Sequence, residues 1–344
     1  MKINSRLKIY FLLPNSLNHG AQNFFRRLHE NFPIEAHKKE IVFQNTRSFW
    51  QIAYDLLISS FRGRVIVFST VNSNKTALLL KLLIPTIIIY PRLGNTISEE
   101  IKKFSIKYYA HMFFYKLLVY YSKAFIFQSV SMHEDFQSFF NIHSDKFHVI
   151  NNGVTLKTRL NKSKDQSANS KINFLLVGTF KAQKGYDIFF RSILDTQFPG
   201  EVHFNICGDG ELLDHFKQIA NHYSLNKLVT FHGFIDPTDL YLSNDFYILP
   251  SKFEGFSNSL IEALSYGIPS IVSDAPGANR EVISDGFNGF LFRNKDPVDL
   301  RSKINSCIKS EKFNRKDIIL DIKNRFSIEK IASQYYNLAM KKIS

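Results

Sequence analysis

The chain is short of cysteine, of long apolar runs and of acidic residues, and each shortage narrows what it can be. Two cysteines among 344 residues, Cys207 and Cys307, cannot build a disulfide framework. Nothing resembles a secretory leader, so a reducing, cytoplasmic setting is expected. The two thiols and eleven scattered histidines show no ligand spacing, so no metal is expected. The longest apolar stretch, Leu78 to Tyr90, is broken by Lys81 and Pro85. It falls short of the roughly 20 residues that span a bilayer, so no membrane crossing is expected. Apolar residues at 44% and charged residues at 22% exclude disorder as the state of the whole chain.

What is present is length, basic charge and a rhythm of short apolar runs. At about 100 to 200 residues per domain, the chain reads as two domains. Net charge is +14, unevenly spread. Residues 1–150 hold 19 Lys and Arg against 9 Asp and Glu, residues 201–300 hold 6 against 14, and residues 301–344 hold 11 against 4. A basic face serves nucleic acid, anionic lipid or an anionic small substrate, and charge alone does not choose among them.

Six β-branched and aromatic runs punctuate the first half: Lys8–Leu13, Ile41–Gln44, Val65–Ser69, Thr86–Tyr90, Ala124–Gln128 and Phe147–Asn151. Six more follow at Asn173–Val177, Val202–Cys207, Val229–His232, Phe246–Pro250, Ser270–Ser273 and Phe290–Phe292. They are continuously apolar rather than alternating, as strands buried on both faces are, and helix-length segments separate them. Each half is therefore expected to be an α/β, doubly wound, Rossmann-like domain with a parallel sheet. The expected limits are residues 1–156, a polar linker at 157–171, a second domain at 172–325 and a C-terminal amphipathic helix at 326–344, entered after a Ser327 cap. Two such sheets facing one another imply a cleft at their carboxyl edges, with the chemistry on loops that follow strands.

Four loops of that kind carry unusual residues. Gly20, in Asn18-His19-Gly20-Ala21-Gln22, lets backbone approach a phosphate at a helix N-terminus, although a lone glycine after a strand is more often a plain turn. Gly178-Thr179-Phe180-Lys181-Ala182-Gln183-Lys184-Gly185 offers Lys181 and Lys184 to a diphosphate, and equally fits a solvated loop. Gly208-Asp209-Gly210 lacks the full dinucleotide fingerprint and reads first as turn geometry. The fourth loop follows the strand ending at Pro250: Glu254-Gly255-Phe256-Ser257-Asn258-Ser259, then a helix carrying Glu262 and stopped by Gly267 and Pro269. The first-turn N–H groups of such a helix can hold a phosphate, and the two carboxylates can accept hydrogen bonds from sugar hydroxyls. Either glutamate alone is most often a surface charge; both in this frame are harder to dismiss.

The pattern resembles the retaining glycosyltransferases of family 4, the glycosyl transferases group 1 with the GT-B fold, whose signature is two glutamates separated by seven residues, here Glu254 and Glu262. The Gly20 loop, Gln128-Ser129, Asn152-Gly153-Val154, Lys184-Gly185, Gly208-Asp209-Gly210, Leu249-Pro250-Ser251 and Pro276 to Gly289 fall in family order. The resemblance implies a GT-B architecture whose last helix crosses back to the first domain, a nucleotide-sugar donor, with UDP-sugar favoured, and no cofactor. It implies that Glu254 contacts the donor sugar and Lys184 neutralises the leaving phosphate. Glu262 would bind the ribose, and Gly20, Gly178, Thr179, Lys181, Gly208, Gly233, Phe234 and Gly255 through Ser259 would hold the rest of the donor.

Two positions depart from the family. Thr179 stands where an arginine is usual, leaving Lys181 as the second cation, and Pro91-Arg92-Leu93-Gly94-Asn95 stands where a histidine is common. Arg92 and Asn95 are therefore candidate acceptor contacts.

The basic first half would face the acceptor. Glu99–Lys123 interleaves lysine with aromatic residues, with Trp50 upstream of Arg62 and Arg64. As one helix it would rest on an anionic membrane surface or simply pack on its sheet. The expected function is transfer of a hexose to a glycolipid or polysaccharide acceptor in cell-surface glycan synthesis, peripherally on the cytoplasmic membrane face. A sugar epimerase of the same fold is the alternative. A nucleic-acid-binding protein is the weaker one, because no recognised nucleic-acid motif accompanies the charge and no nucleic-acid partner is expected.

Overall fold

A computed structural model describes residues 7–14, 20–35, 38–156, 171–194, 196–309 and 313–341. It separates into two compact units, residues 1–155 with 326–344, and residues 156–325. Except for Lys171, the linker expected at 157–171 lies outside the described residues, as do Asn18 and His19 of the first loop.

The first unit carries β1 (Leu7–Leu13), β2 (Lys39–Phe43), β3 (Arg64–Ser69), β4 (Ile88–Pro91), β5 (Phe125–Phe127) and β6 (Phe147–Val149). Its helices are α1 (Gly20–Asn31), α2 (Phe49–Arg62), α3 (Asn74–Leu83), α4 (Ile97–Glu100), α5 (Ile106–Tyr121) and α6 (Val130–Phe140). All strand pairs are parallel, in the order β2-β1-β3-β4 and β5-β6, with a bridge between Arg92 and Ile126 joining the two sets. Alternation along the strands fills two cores. Ile9, Phe11, Ile66 and Phe68 pack with α1 on one face, and Tyr10, Leu12, Val65 and Val67 pack with α2, α3, α5 and α6 on the other. Local signals start the helices: Ser48 Oγ accepts from the Gln51 N–H at 3.2 Å while the Gln51 carboxamide accepts from the Ser48 N–H at 2.8 Å, a reciprocal cap for α2.

The second unit carries β7 (Ile172–Val177), β8 (Val202–Cys207), β9 (Val229–Gly233), β10 (Phe246–Leu249), β11 (Ser270–Ser273) and β12 (Gly289–Phe292). They form one parallel sheet in the order β12-β11-β10-β7-β8-β9. Between and after them run α7 (Tyr186–Ile193), α8 (Leu213–His222), α9 (Thr238–Ser243), α10 (Asn258–Ser265), α11 (Asn279–Val282), α12 (Pro297–Ile308) and α13 (Arg315–Phe326). The final helix, α14 (Ile328–Met340), belongs to the first unit and packs on α1. Its entry is a close crossing: Val154 exchanges backbone hydrogen bonds with Phe326 (2.8 Å) and Ile328 (3.0 Å), and a Cβ at Gly153 would lie 2.8 Å from Ile328 Cα. Ser327 occupies the cap position without a side-chain cap bond, so this crossing, rather than a capping hydroxyl, fixes the start of α14.

One expected element divides. The segment 99–123 is not a single helix: α4 ends at Glu100 and α5 begins at Ile106, with Phe104 at φ 61° between them. Ser105 is the reason, since its Oγ accepts the Tyr108 N–H at 3.1 Å and restarts the helix. The inner face of α5, with Tyr108, Tyr115, Leu118 and Val119, is buried on the sheet.

Candidate functional site

The carboxyl ends of β7, β8 and β9 are laced through backbone. Gly178 N–H donates to the Cys207 carbonyl (3.0 Å), and Gly208 N–H donates to the Gly233 carbonyl (2.8 Å). Gly208 sits at φ 152°, and a Cβ there would lie 1.9 Å from Gly178 O, so only glycine fits. The structure thus brings Gly178, Gly208 and Gly233 side by side at adjacent strand ends, and Phe234, next in the chain, is exposed. Phe180 turns inward and stacks on Tyr186 at 4.1 Å, while the Tyr186 hydroxyl donates to the Gly178 carbonyl at 2.9 Å. Thr179 and Lys181, on the same loop, face solvent.

The loop after β7 then meets the loop after β10. Lys252 N–H donates to the Gln183 carbonyl (2.8 Å), Gln183 Nε2 donates to the Phe253 carbonyl (2.9 Å), and Gly185, at φ 68°, lies against Pro250 O. This contact delivers Lys184 Nζ to Glu254 Oε1, an ion pair with the carboxylate 7% and the ammonium 20% exposed. Ser251 Oγ donates to the same Glu254 oxygen at 2.7 Å. The Glu254 backbone is pinned from below: its N–H donates to the Pro276 carbonyl at 2.9 Å, and Gly277, at φ 119°, approaches Glu254 O so closely that any Cβ would overlap it.

Beyond Gly255, Ser257 caps α10 by accepting from the Leu260 N–H at 3.4 Å. Buried tyrosines hold this first turn. Tyr247 donates to Ser259 Oγ at 2.8 Å, and Tyr241 donates to the Ser259 carbonyl at 3.4 Å. Burial pushes both phenols well above their ordinary range, and the charge of Glu262 adds to this, so they remain neutral donors. Phe256 is buried, Asn258 and Ser259 are half-buried, and Glu262 is half-buried one turn into the helix. A positive helix end, an ammonium and two carboxylates thus belong to neighbouring loops of one sheet edge. That combination suits an anionic ligand carrying hydroxyl groups.

Sequence reasoning missed Ser251, Tyr186, Tyr247 and Gly277. Ser251 and Gly277 lay within stretches that matched in family order, which was their only signal. The tyrosines read as ordinary strand and helix residues.

Arg92 and Asn95 belong to the first unit. Asn95 is on the surface, its Nδ2 donating to Glu100 Oε1 at 2.7 Å. Arg92 is 2% exposed, which removes it from contact with an acceptor in solution. Its guanidinium lies 4.4 Å from the Phe24 ring centroid, donates to Asn152 Oδ1 and faces Tyr335 of α14. Burial pulls it below its ordinary range, and Tyr335 acts in the opposite direction. Gly20 is the first residue of α1.

Residues 158–320 match the family model for glycosyl transferases group 1. The chain is 29% identical over 192 residues to lipopolysaccharide 1,6-galactosyltransferase of Salmonella typhimurium, covering 54% of this chain and 52% of that one. It is 31% identical over 177 residues to UDP-Gal:alpha-D-GlcNAc-diphosphoundecaprenol alpha-1,3-galactosyltransferase of Escherichia coli, covering 48% of this chain and 45% of that one. The chain spans about half the length of the curated relatives it matches. Among solved structures, Anabaena Alr3699/HepE in complex with UDP and glucose matches 98% of this chain and 100% of its own, at TM-score 0.78 and 18% identity, a likeness of fold.

Proposed function

We propose, for a chain that belongs to the glycosyl transferases group 1 family through residues 158–320, that it moves a hexose from a UDP-sugar to a lipid-linked or polysaccharide acceptor with retention at the anomeric carbon. The observation that carries this reading is the Lys184–Glu254 pair held at the head of α10, with Glu262 one turn further on. Lys184 and the helix end stabilise charge on the departing diphosphate, Glu254 accepts from donor-sugar hydroxyls, and Glu262 accepts from the ribose. The bond from C1 to phosphate breaks and the bond from C1 to the acceptor oxygen forms on the same sugar face. The departing phosphate takes the acceptor proton, so the step requires no protein nucleophile. The first unit serves the acceptor, and its basic residues meet an anionic membrane surface on the cytoplasmic side. The two relatives support the reading by their names: both are galactosyltransferases, and one takes UDP-Gal and a diphosphoundecaprenol-linked acceptor.

Thermal shift against UDP, GDP, ADP and CMP sugars and the free nucleotides tests the donor. At about 100 times Kd, a ligand adds about 2.7 kcal/mol to the stability of the folded state. UDP compounds alone should raise Tm, and Glu262→Ala should abolish the rise. No shift with any nucleotide overturns the reading.

A further inference from the structure

The loop after β2 and the first turns of α2 form a groove of about 550 Å³ in the first unit, lined by Thr46, Arg47, Trp50, Gln51, Tyr54 and Asp55. It lies at the carboxyl end of a strand, where open parallel sheets receive ligands, and its volume is that of a small-molecule site. Trp50 and Tyr54 are four residues apart on α2, so they are neighbours on one helix face, and they are 71% and 64% exposed. Their support is rigid. Ile52 and Leu56 bury the opposite side of α2, and Phe49, packed on the core, meets the Trp50 ring edge-on at 5.4 Å.

The polar part of the lining has its positive charge cancelled. Arg47 Nη1 pairs with Glu40 Oε1 (3.0 Å) and with Asp55 Oδ2 (3.1 Å), so the cluster carries one net negative charge. A phosphate is therefore repelled rather than drawn in, which disfavours lipid headgroups and nucleic acid alike. What the groove offers instead is hydrogen bonding in both directions. Gln51 Oε1 accepts from the Ser48 N–H at 2.8 Å, which fixes the carboxamide and leaves Nε2 to donate. Asp55 keeps Oδ1 to accept, the Thr46 hydroxyl, which donates to the Phe43 carbonyl at 3.1 Å, can also accept, and the Tyr54 hydroxyl does either. Two aromatic faces flanked by such groups, with no positive charge to spare, match a pyranose ring, whose C–H face is apolar and whose rim is hydroxyl groups.

We propose that this groove is a saccharide-binding site that stacks neutral sugar units of an acceptor glycan on Trp50 and Tyr54. The role of that glycan rests on the transferase reading, to which the groove adds a separate site. β2 is the outermost strand in the order β2-β1-β3-β4, and three strand spacings, about 14 Å, separate it from β4 and the loop that carries Asn95. The groove thus holds sugar units away from that loop and favours a glycan of several units over a single sugar.

Trp50 is the single tryptophan of the chain, so its quenching by iodide reads the groove directly. At least one of maltohexaose, galactohexaose and chitohexaose should shield it, and the corresponding monosaccharide, which covers one ring only, should bind at least about tenfold more weakly. Tyr54→Ala should weaken binding about tenfold, and Tyr54→Phe, which keeps the ring, less than about threefold. Trp50→Ala, followed by calorimetry, should bind none of the three. Tm and its rise with UDP should be unchanged in all these variants, because the altered side chains are exposed and lie outside the donor loops. Shielding in a protein whose Tm ignores UDP supports the site while removing the donor reading, and a UDP response without shielding by any of the three sugars overturns the site alone. Equal shielding in Tyr54→Ala overturns it as well, since the sugar then sits elsewhere. So does equal shielding by phosphatidylglycerol vesicles or by oligoadenylate, which would give the groove to a lipid or a nucleic acid.

Discussion

The two units share a doubly wound plan but finish their strands differently. In the second unit the strand ends are tied backbone to backbone through Gly178, Gly208 and the residues on either side of Gly277, with no room for a side chain at Gly208 or Gly277. In the first unit, buried side chains add to backbone ties such as the Arg92 N–H on the Ser69 carbonyl (3.0 Å) and the Leu93 N–H on the Ile126 carbonyl (2.9 Å). Ser69 Oγ donates to Asn74 Oδ1 (2.7 Å), Asn74 Nδ2 to the Arg92 carbonyl (3.1 Å), Gln128 Nε2 to the Leu93 carbonyl (2.8 Å), and Arg92 to Asn152. Backbone lacing lets a phosphate approach main chain, and it cannot be altered one residue at a time without strain. Side-chain lacing can be exchanged residue by residue.

The strongest way to break this comparison is a methyl group where the second unit has none. Gly277→Ala should cost about 4 kcal/mol, because the Cβ meets Glu254 O at a φ of 119°. Gly286→Ala, at φ 78° but in open space, should cost only about 1 kcal/mol. Both cysteines are buried in the second unit and the first unit has none, so thiol labelling in a urea series reads the opening of the second unit alone. Equal costs at the two glycines would show that close approach is not what holds this edge.

Glu254→Gln comes next. It keeps a group able to bond Ser251 while removing the charge opposite Lys184. Turnover should fall about 100-fold or more, roughly 3 kcal/mol of transition-state stabilisation, with the fold intact. A fall in activity that only tracks a fall in Tm would make Glu254 a brace for Lys184 instead.

The first unit is tested at Arg92. Arg92→Leu leaves Asn152 without the guanidinium and removes the cation from the Phe24 ring, so Tm should drop by the equivalent of about 2 kcal/mol. The UDP-induced shift should persist, because the donor edge proposed above lies in the other unit. A lost UDP response would mean that the two kinds of lacing are coupled.

Much of this was legible in the chain. All twelve apolar runs became strands with only their ends moved, most of them because parallel strands buried on both faces need continuous apolar sequence, although β2 and β6 are only partly buried. The run through Gln128 stops at Phe127, for example, and the buried Gln128 side chain donates instead to the Leu93 carbonyl. Glu254 and Glu262 stood out because a glycine turn and a cap framed them. Arg92 was not legible: an arginine after a strand reads as surface, and the Tyr335 that it faces arrives only when α14 returns to the first unit. The break at Phe104 was hidden in the same way, since a single serine in an apolar and basic run carries little weight until its Oγ is seen on the Tyr108 N–H.

Tyr247 offers the finest test, because it is a side-chain tie inside the backbone-laced unit. Its hydroxyl donates to Ser259 Oγ, and it also lies 3.3 Å from the Val177 carbonyl at the mouth of the Gly178 loop. Tyr247→Phe keeps the buried ring and removes only the donor, so the loss should be about 1 kcal/mol. If backbone alone shapes the donor edge, KM for the donor will not move. A rise of several-fold with kcat unchanged would show that the phenol also sets the position of the first turn of α10. The pH dependence separates the two roles from a general loss of stability. Burial raises the folded pKa above the ordinary value of 10.0, so the folded state keeps its proton where the unfolded chain loses it. The contribution of Tyr247 to stability is therefore full below pH 10.0 and declines only above it, and native and Tyr247→Phe proteins should differ by a constant amount across the neutral range.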